Sequence, residues 1–211
     1  PSFLSEDNCA MLTELYHDDG LFRHTVDMEH MRYGKGEYRY FDGATQPSIV
    51  SHYRQALYSG LVHSANTLAT SLELEYRYPE TWEEFKELCD SHGQTENACL
   101  LLHYEKGGYN KPHIDTYGKV FFPYQAVTLL SDDFSGGDFT ITTKQNNKRT
   151  SIELYQPGDT VIFSSKYLPM HKPGTTQKVM SKVLHGVERI TDGSRDTLGV
   201  IAHNLSPYKP K

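Results

Sequence analysis

From Ala98 onward the chain breaks into short runs rich in β-branched and aromatic residues, at 98–104, 121–130, 138–143, 151–155, 159–164, 179–190 and 197–202. Turn signals stand between them: Gly107-Gly108, Gly136-Gly137, Asn146-Asn147, Pro157-Gly158 and Asp192-Gly193. Such runs, punctuated by glycine, proline and asparagine, read as strands joined by tight turns. Seven in succession can bury their apolar faces against one another as a double-sheet roll. The preceding residues are patterned differently. Residues 5–17 predict a helix, with Ser5 as N-cap, Glu6 and Asp7 in the first turn and Gly20 as a stop. The segment RYGKGEYRYFDG within 23–46 is strand or loop. After Pro47, Ile49, Tyr53, Leu57, Leu61, Ala65, Leu68 and Leu72 recur at steps of three or four, one apolar stripe of a helix laid on a sheet. Thr81-Trp82-Glu83-Glu84 has the form of a capping box opening a short helix to about Asp90. No internal repeat or low-complexity tract intervenes. The expected fold is therefore α+β: one domain over 1–211, with a helical N-terminal half (about 1–97) packed on one sheet of a β-roll core (about 98–205).

Composition narrows the class. A chain of 211 residues, 37% hydrophobic and 23% charged, can bury a substantial core. No apolar run approaches the roughly 20 residues that span a bilayer, and the opening residues lack the pattern of a signal peptide. The chain begins at Pro1 rather than methionine, so a trimmed leader stays open. Cys9, Cys89 and Cys99 are odd in number and far apart, which argues against a disulfide framework or a thiolate zinc site. A reducing, cytoplasmic setting is expected.

The net charge of −6 hides an asymmetry: residues 1–103 carry 7 Lys+Arg against 17 Asp+Glu, and residues 104–211 carry 14 against 10. Within 144–182 stand seven cations (Lys144, Lys148, Arg149, Lys166, Lys172, Lys178, Lys182) and two anions. That stretch could face an anionic partner, although a solvated face of edge strands accounts for it equally simply.

His113-x-Asp115 places two metal-ligand side chains two residues apart, on the same side of an extended chain. With 11 histidines and 13 aspartates, such a pair by itself means little, and a second one, His17-x-Asp19, stands at the end of the first helix. Context separates them. His113 and Asp115 lie among glycine turns just past a strand, and His185 follows inside the apolar run VMSKVLHGVERI. Two histidines and one carboxylate form the three-point holder typical of a non-haem Fe(II) site that keeps open positions for oxygen chemistry. His185 taken alone reads more simply as a hydrogen-bonded core histidine. Arg195, ahead of a hydroxyl at Thr197 in the last strand, suits a bidentate clamp on a carboxylate.

His113-x-Asp115, His185 and Arg195, in this order on a β roll, resemble the Fe(II)/2-oxoglutarate-dependent oxygenase superfamily. The closer resemblance is to a mainly bacterial 2OG-Fe(II) oxygenase family inferred to act on damaged or methylated DNA. It is carried by YGKGEYRYF (33–41), the helix ending near Asn66, LLLHYEKGGYNKPHIDTYG (100–118), FPYQ (122–125), GGDF (136–139), PGDTVIF (157–163) and LHGVERITDGSRDTLGVIAH (184–203), and departs at Lys111-Pro112. The resemblance implies the double-stranded β-helix (jelly roll) and a dioxygenase that uses Fe(II), 2-oxoglutarate and O2 and releases succinate and CO2. It implies His113, Asp115 and His185 as metal ligands, and Arg195 as the 2-oxoglutarate anchor assisted by Thr197 and Tyr104. Tyr109 could flank the cosubstrate. Arg39, ahead of the roll where such enzymes often place a lid, is a candidate for substrate contact, while Gly136-Gly137 reads as a plain hairpin turn. His103, His171 and His203 are not expected to be ligands. Duplex binders need a strong basic face, so the acidic balance favours a small-molecule substrate such as an amino acid or natural-product intermediate. Oxidative demethylation of nucleic-acid bases and prolyl-type hydroxylation of a protein are the alternatives, along with a β-roll binding module lacking turnover.

Overall fold

The computed structural model describes residues 4–71, 73, 77–115 and 118–207. Leu72 of the apolar stripe, and Thr116 and Tyr117 beside the H-x-D pair, lie outside the described residues. The described residues form three α-helices: α1 (Glu6–Leu15), α2 (Ser48–Ser71) and α3 (Trp82–Ser91). The Ser5 hydroxyl caps α1 by accepting from the Asn8 N–H, and Thr81 and Glu84 close a reciprocal capping box on α3. A 3-10 turn at Asp19–Leu21, capped by Asp18, follows α1.

The described strands are β1 (Phe22–Asp27), β2 (Gly34–Lys35), β3 (Glu37–Phe41), β4 (Leu100–Glu105), β5 (Tyr109–His113), β6 (Tyr124–Leu129), β7 (Phe134–Gly136), β8 (Phe139–Thr143), β9 (Lys148–Ile152), β10 (Thr160–Ser164), β11 (Tyr167–His171), β12 (Lys178–Val187) and β13 (Ile190–Ile201). They form two antiparallel sheets. The larger runs β1-β3-β4-β13-β6-β10, with β7 also on β13; the smaller runs β2-β5-β12-β8-β9, with β11 also on β12.

The two-residue period of β13 decides what each face of the larger sheet does. Leu198 and Val200 point outward into a core with Cys9 and Leu12 of α1 and Val50, Tyr53 and Leu57 of α2. Burying each such aliphatic side chain contributes about 1.5–3 kcal/mol, which holds the helical layer on this face. The alternate residues Arg195, Thr197, Gly199 and Ile201 line a cavity that both sheets enclose. Arg54 ties α2 to the end of β13: it is buried and donates to the carbonyls of Ile201 (2.9 Å) and Ala202 (2.8 Å) and to the side chains of Asn97 (3.1 Å) and Asn204 (2.7 Å).

Several expectations are corrected. The N-terminal half is not purely helical, because β1 and β3 extend the larger sheet and β2 the smaller. Asp192-Gly193 does not end a strand. It lies inside β13 at a register shift, where Gly193 takes φ +69° and a Cβ would fall 2.0 Å from the Asp133 carbonyl. Gly136-Gly137 is no hairpin turn either, since β7 pairs with β13 while β8 belongs to the other sheet. Asn146-Asn147 does turn the β8–β9 hairpin, with Asn147 at φ +50°. The expected strand 151–155 lies a few residues earlier, at Lys148–Ile152.

Candidate active site

β5 and β12 run antiparallel with His113 opposite His185, so the imidazoles are cross-strand neighbours with ring centroids 4.2 Å apart. Gly186 permits the close approach, since a Cβ there would lie 2.7 Å from the Asn110 carbonyl oxygen. Two residues past His113, Asp115 turns to the same side. Its Oδ1 is 3.4 Å from His113 Nε2 and its Oδ2 is 3.0 Å from His185 Nε2. The three ligand-type atoms lie within 4.8 Å of one another, and no other His/Cys/Asp/Glu group among the described residues does so.

The surroundings prepare these groups for a cation. His113 Nδ1 is 2.7 Å from the Lys111 carbonyl, which can only accept, so Nδ1 carries a proton and Nε2 is the nitrogen turned towards Asp115. The His185 ring is packed between Phe139 and Phe163, with centroids 6.0 and 4.7 Å away. Burial pushes the His185 pKa down against the pull of Asp115, keeping the imidazole neutral. Burial acts to raise the Asp115 pKa, but the two histidines outweigh it and hold the carboxyl well below the usual carboxylate range. At His113 burial pulls downward, yet the Asp115 carboxylate and the Lys111 carbonyl prevail and raise its pKa. A half-buried carboxylate facing two imidazole nitrogens is a donor set that fits a divalent first-row metal.

Beyond this cluster extends a cavity of about 390 Å³. Arg195, only 1% exposed, borders it from β13, and Nε, Nη1 and Nη2 have no hydrogen-bond partner. Burial lowers its pKa, opposed by Tyr104, Asp196 and Asp138 at longer range. A guanidinium so enclosed is costly unless an anion joins it. Its stem passes Gly137, where a Cβ would come within 3.0 Å of Arg195 Cδ and 2.3 Å of Ile190 Cδ1. Tyr104 pairs with Arg195 across β4 and β13; its buried hydroxyl has Asn110 as neighbour but no hydrogen bond of regular geometry. Thr197, two residues along β13, shares the cavity face.

The structure thus brings together His113, Asp115, His185, Arg195, Thr197 and Tyr104. It does not bring Arg39 or Tyr109 to the cavity. Arg39 occupies the opposite face of β3, paired with Glu37 (2.8 Å) and Asp19 (2.6 Å) and lying 4.6 Å from the Tyr16 ring centroid. Asp19, half of the second H-x-D pair, is therefore committed to a surface ion pair. Tyr109 stacks under the Arg189 guanidinium at 4.7 Å in a separate shallow groove. Instead, Arg32, Tyr33, Tyr38, Tyr40 and Gln125 line the cavity. Tyr38 and Tyr40 were legible as the alternate face of the EYRYF run, and Gln125 as the polar interruption of FPYQAV. The remaining histidines are engaged elsewhere. His103 Nδ1 lies 2.6 Å from Asp196 on the outer face of the larger sheet. His203 Nδ1 accepts from the Phe122 N–H, and burial together with Arg54 pushes its pKa down to about 3. His171 is exposed on β11.

A family described as an oxygenase catalysing oxidative methylation of damaged DNA matches residues 36–205. The chain belongs to this oxygenase family. The oxygenase is 30% identical over 164 residues to the uncharacterized proteins MT2286 and Rv2227 of Mycobacterium tuberculosis (strains CDC 1551 / Oshkosh and H37Rv), which covers 75% of this chain and 69% of each relative. Its fold is shared with a Pseudomonas putida prolyl-4-hydroxylase, at a TM-score of 0.56 and 16% identity, with 96% of this chain and 90% of that one covered. A Trichoplax adhaerens prolyl hydroxylase, solved with a hypoxia-inducible-factor peptide fragment, matches at a TM-score of 0.54 and 14% identity, covering 95% and 79%. The His-Asp-His group is a donor set that fits a divalent iron, the metal such oxygen chemistry calls for. No helix among the described residues is long and apolar enough to cross a membrane.

Proposed function

We propose that His113, Asp115 and His185 hold Fe(II), that Arg195 binds the distal carboxylate of 2-oxoglutarate with Thr197 and Tyr104 beside it, and that the enzyme oxidises a C–H bond of a small molecule. The observation that carries this reading is the buried, unpartnered Arg195 in the same cavity as the His-Asp-His cluster. When bound, Fe(II) and 2-oxoglutarate supply the O2-dependent oxidation, with succinate and CO2 as by-products.

The chain's own residues do the rest. Arg195 neutralises a carboxylate that must leave water, and its planar fork orients it. Phe139 and Phe163 keep water from His185, and the Lys111 carbonyl fixes the His113 tautomer. Tyr33, Tyr38 and Tyr40 offer an aromatic wall for a substrate. The two sheets with helices on one outer face support a double-stranded β-helix, formed as one domain over 1–211. A reducing, cytoplasmic setting fits three buried free thiols.

A second reading, oxidation of nucleic-acid bases, is favoured by the description of the family and by the exposed cations Lys144, Lys148, Arg149, Lys172, Lys178 and Lys182. The fold shared with prolyl hydroxylases keeps a protein substrate as a further alternative. The small-molecule reading rests on the acidic net charge of −6 and the modest cavity. Purified protein supplied with Fe(II) and 2-oxoglutarate should form succinate slowly even without substrate, and faster with the right member of an amino-acid and metabolite panel. Saturable DNA binding that weakens steeply with salt, together with succinate formation stimulated by methylated DNA, would overturn the small-molecule reading.

A further inference from the structure

Most guanidinium groups in this protein are engaged. Arg23, Arg39 and Arg149 sit in ion pairs, Arg54 and Arg189 donate to carbonyls, and Arg77 also has an interaction. Arg32 and Arg195 have neither a carboxylate nor a carbonyl partner among the described residues, and both line the same cavity. Arg195 is the buried one. Arg32 is exposed, which puts it at the cavity's open end.

The turn that carries Arg32 is built rather than loose. Arg32 takes φ +61°, a left-handed conformation that side-chain-bearing residues rarely adopt. Hydrogen bonds hold it there: the Met28 carbonyl accepts from Tyr33 (2.8 Å) and Gly34 (3.3 Å), and Asp27 Oδ1 accepts from Glu29 (2.8 Å) and His30 (3.1 Å). Lys111 grips the turn twice. Its ammonium donates to the Arg32 carbonyl and its backbone N–H to the Tyr33 carbonyl, both at 2.9 Å. The Lys111-Pro112 pair thus fastens a cation-bearing turn beside His113. Neither Arg32 nor Lys111 has a carboxylate within ion-pair distance among the described residues, although the chain carries a net charge of −6.

We propose that Arg32 and Lys111 form an anion subsite at the cavity mouth, which binds a carboxylate or phosphate monoester of the primary substrate while its apolar part lies along Tyr33, Tyr38 and Tyr40. The proposal rests on the reading of this cavity as the active site. The Arg32 fork matches either anion bidentately, and the Lys111 ammonium keeps two donors free beyond its bond to the turn. Two cations suit one small anionic group rather than the many phosphates of a duplex.

The test is calorimetric titration of the protein loaded with Mn(II) and one equivalent of 2-oxoglutarate, using benzoate, phenyl phosphate and benzamide as probes. At least one of the two anions should bind about tenfold or more tightly than neutral benzamide. Arg32→Asn keeps a residue tolerant of left-handed backbone while removing the charge, and should reduce that anion to the level of benzamide. Lys111→Gln should weaken it in the same direction, and Lys172→Gln, on the exposed loop, should leave the preference intact. Benzoate ahead of phenyl phosphate identifies a carboxylate substrate, and the reverse order a phosphate ester. Benzamide binding as well as both anions, or an anion preference that survives Arg32→Asn, overturns the subsite. The titration requires no turnover, so loss of the anion preference in a protein that still makes succinate removes the subsite alone. Absence of succinate with the preference intact removes the oxygenase reading of the cavity instead.

Discussion

Replacing Arg195 by methionine should make the ligand-free protein more stable and the 2-oxoglutarate-loaded protein relatively less so. Arg195 is 1% exposed with three nitrogens unpartnered, and burial already lowers its pKa. Exchanging buried ionic groups for apolar side chains of similar size gains about 1–4 kcal/mol, and methionine keeps the stem that packs beside Gly137, Ile190 and Phe134. For a chain of this length each kcal/mol moves Tm by about 2–4 °C, so a gain of about 2 kcal/mol raises Tm by roughly 4–8 °C. With 2-oxoglutarate at one hundred times its Kd the parent recovers about 2.7 kcal/mol, whereas the variant lacks the clamp and recovers little. Thermal unfolding of both proteins, with and without 2-oxoglutarate in the presence of Mn(II), therefore gives a reversal of order. A variant that is less stable without ligand and shifted equally by 2-oxoglutarate would refute both the buried-charge argument and the clamp.

Gly137→Ala forces a Cβ to within 2.3 Å of Ile190 Cδ1 and 3.0 Å of Arg195 Cδ at φ +71°; a loss of about 1–3 kcal/mol in stability and weaker 2-oxoglutarate binding should appear together in denaturant and ligand titrations. His203 has a folded pKa near 3, below its unfolded value of about 6.5. Its neutral form therefore adds stability above about pH 6.5 that drains away as pH falls towards 3, so His203→Gln should show a shallower decline in Tm between pH 6 and pH 4 than the parent. His103 behaves oppositely: the hydrogen bond that its ring donates to Asp196 raises its pKa. Its contribution is full below about pH 6.5 and lost as pH rises through the folded pKa, so His103→Gln should lower Tm at pH 6 more than at pH 9.

The β-rich half was legible because its turns use residues with a specific backbone purpose. Asn146-Asn147 falls between the paired strands β8 and β9, Pro157-Gly158 turns the chain from β9 into β10, and β4, β6, β8, β10 and β12 lie close to the runs that alternate between such turns. Turn chemistry also misled. Asp192-Gly193 and Gly136-Gly137 have the composition of turns, yet they serve a register shift inside β13 and a crossing between sheets. What separates these cases is which strand lies alongside, and that is set by tertiary packing. The approach of His113 and Asp115 was readable because an extended chain fixes the parity of i and i+2, whereas His185 needed the pairing of β12 with β5 to reach them. Arg39 shows the cost of not knowing a strand's parity. In EYRYF a one-residue slip exchanges the buried tyrosine face for the charged one, so the cavity received Tyr38 and Tyr40 while Arg39 went to Glu37 and Asp19. Gly137 was hidden for a related reason, since its significance lies in Ile190 and Arg195, more than fifty residues away along the chain.

Asp115 sits between the Nε2 atoms of His113 and His185 and alone in the cluster brings the negative charge a divalent cation needs. Anaerobic equilibrium dialysis with Fe(II), followed by admission of O2 and 2-oxoglutarate and quantification of succinate, reads metal binding and turnover on one sample. The parent should bind one Fe(II) per chain and release succinate, and Asp115→Ala should lose both while keeping its fold by circular dichroism. An Asp115→Ala protein that binds iron and forms succinate as the parent does would contradict the assignment of the site.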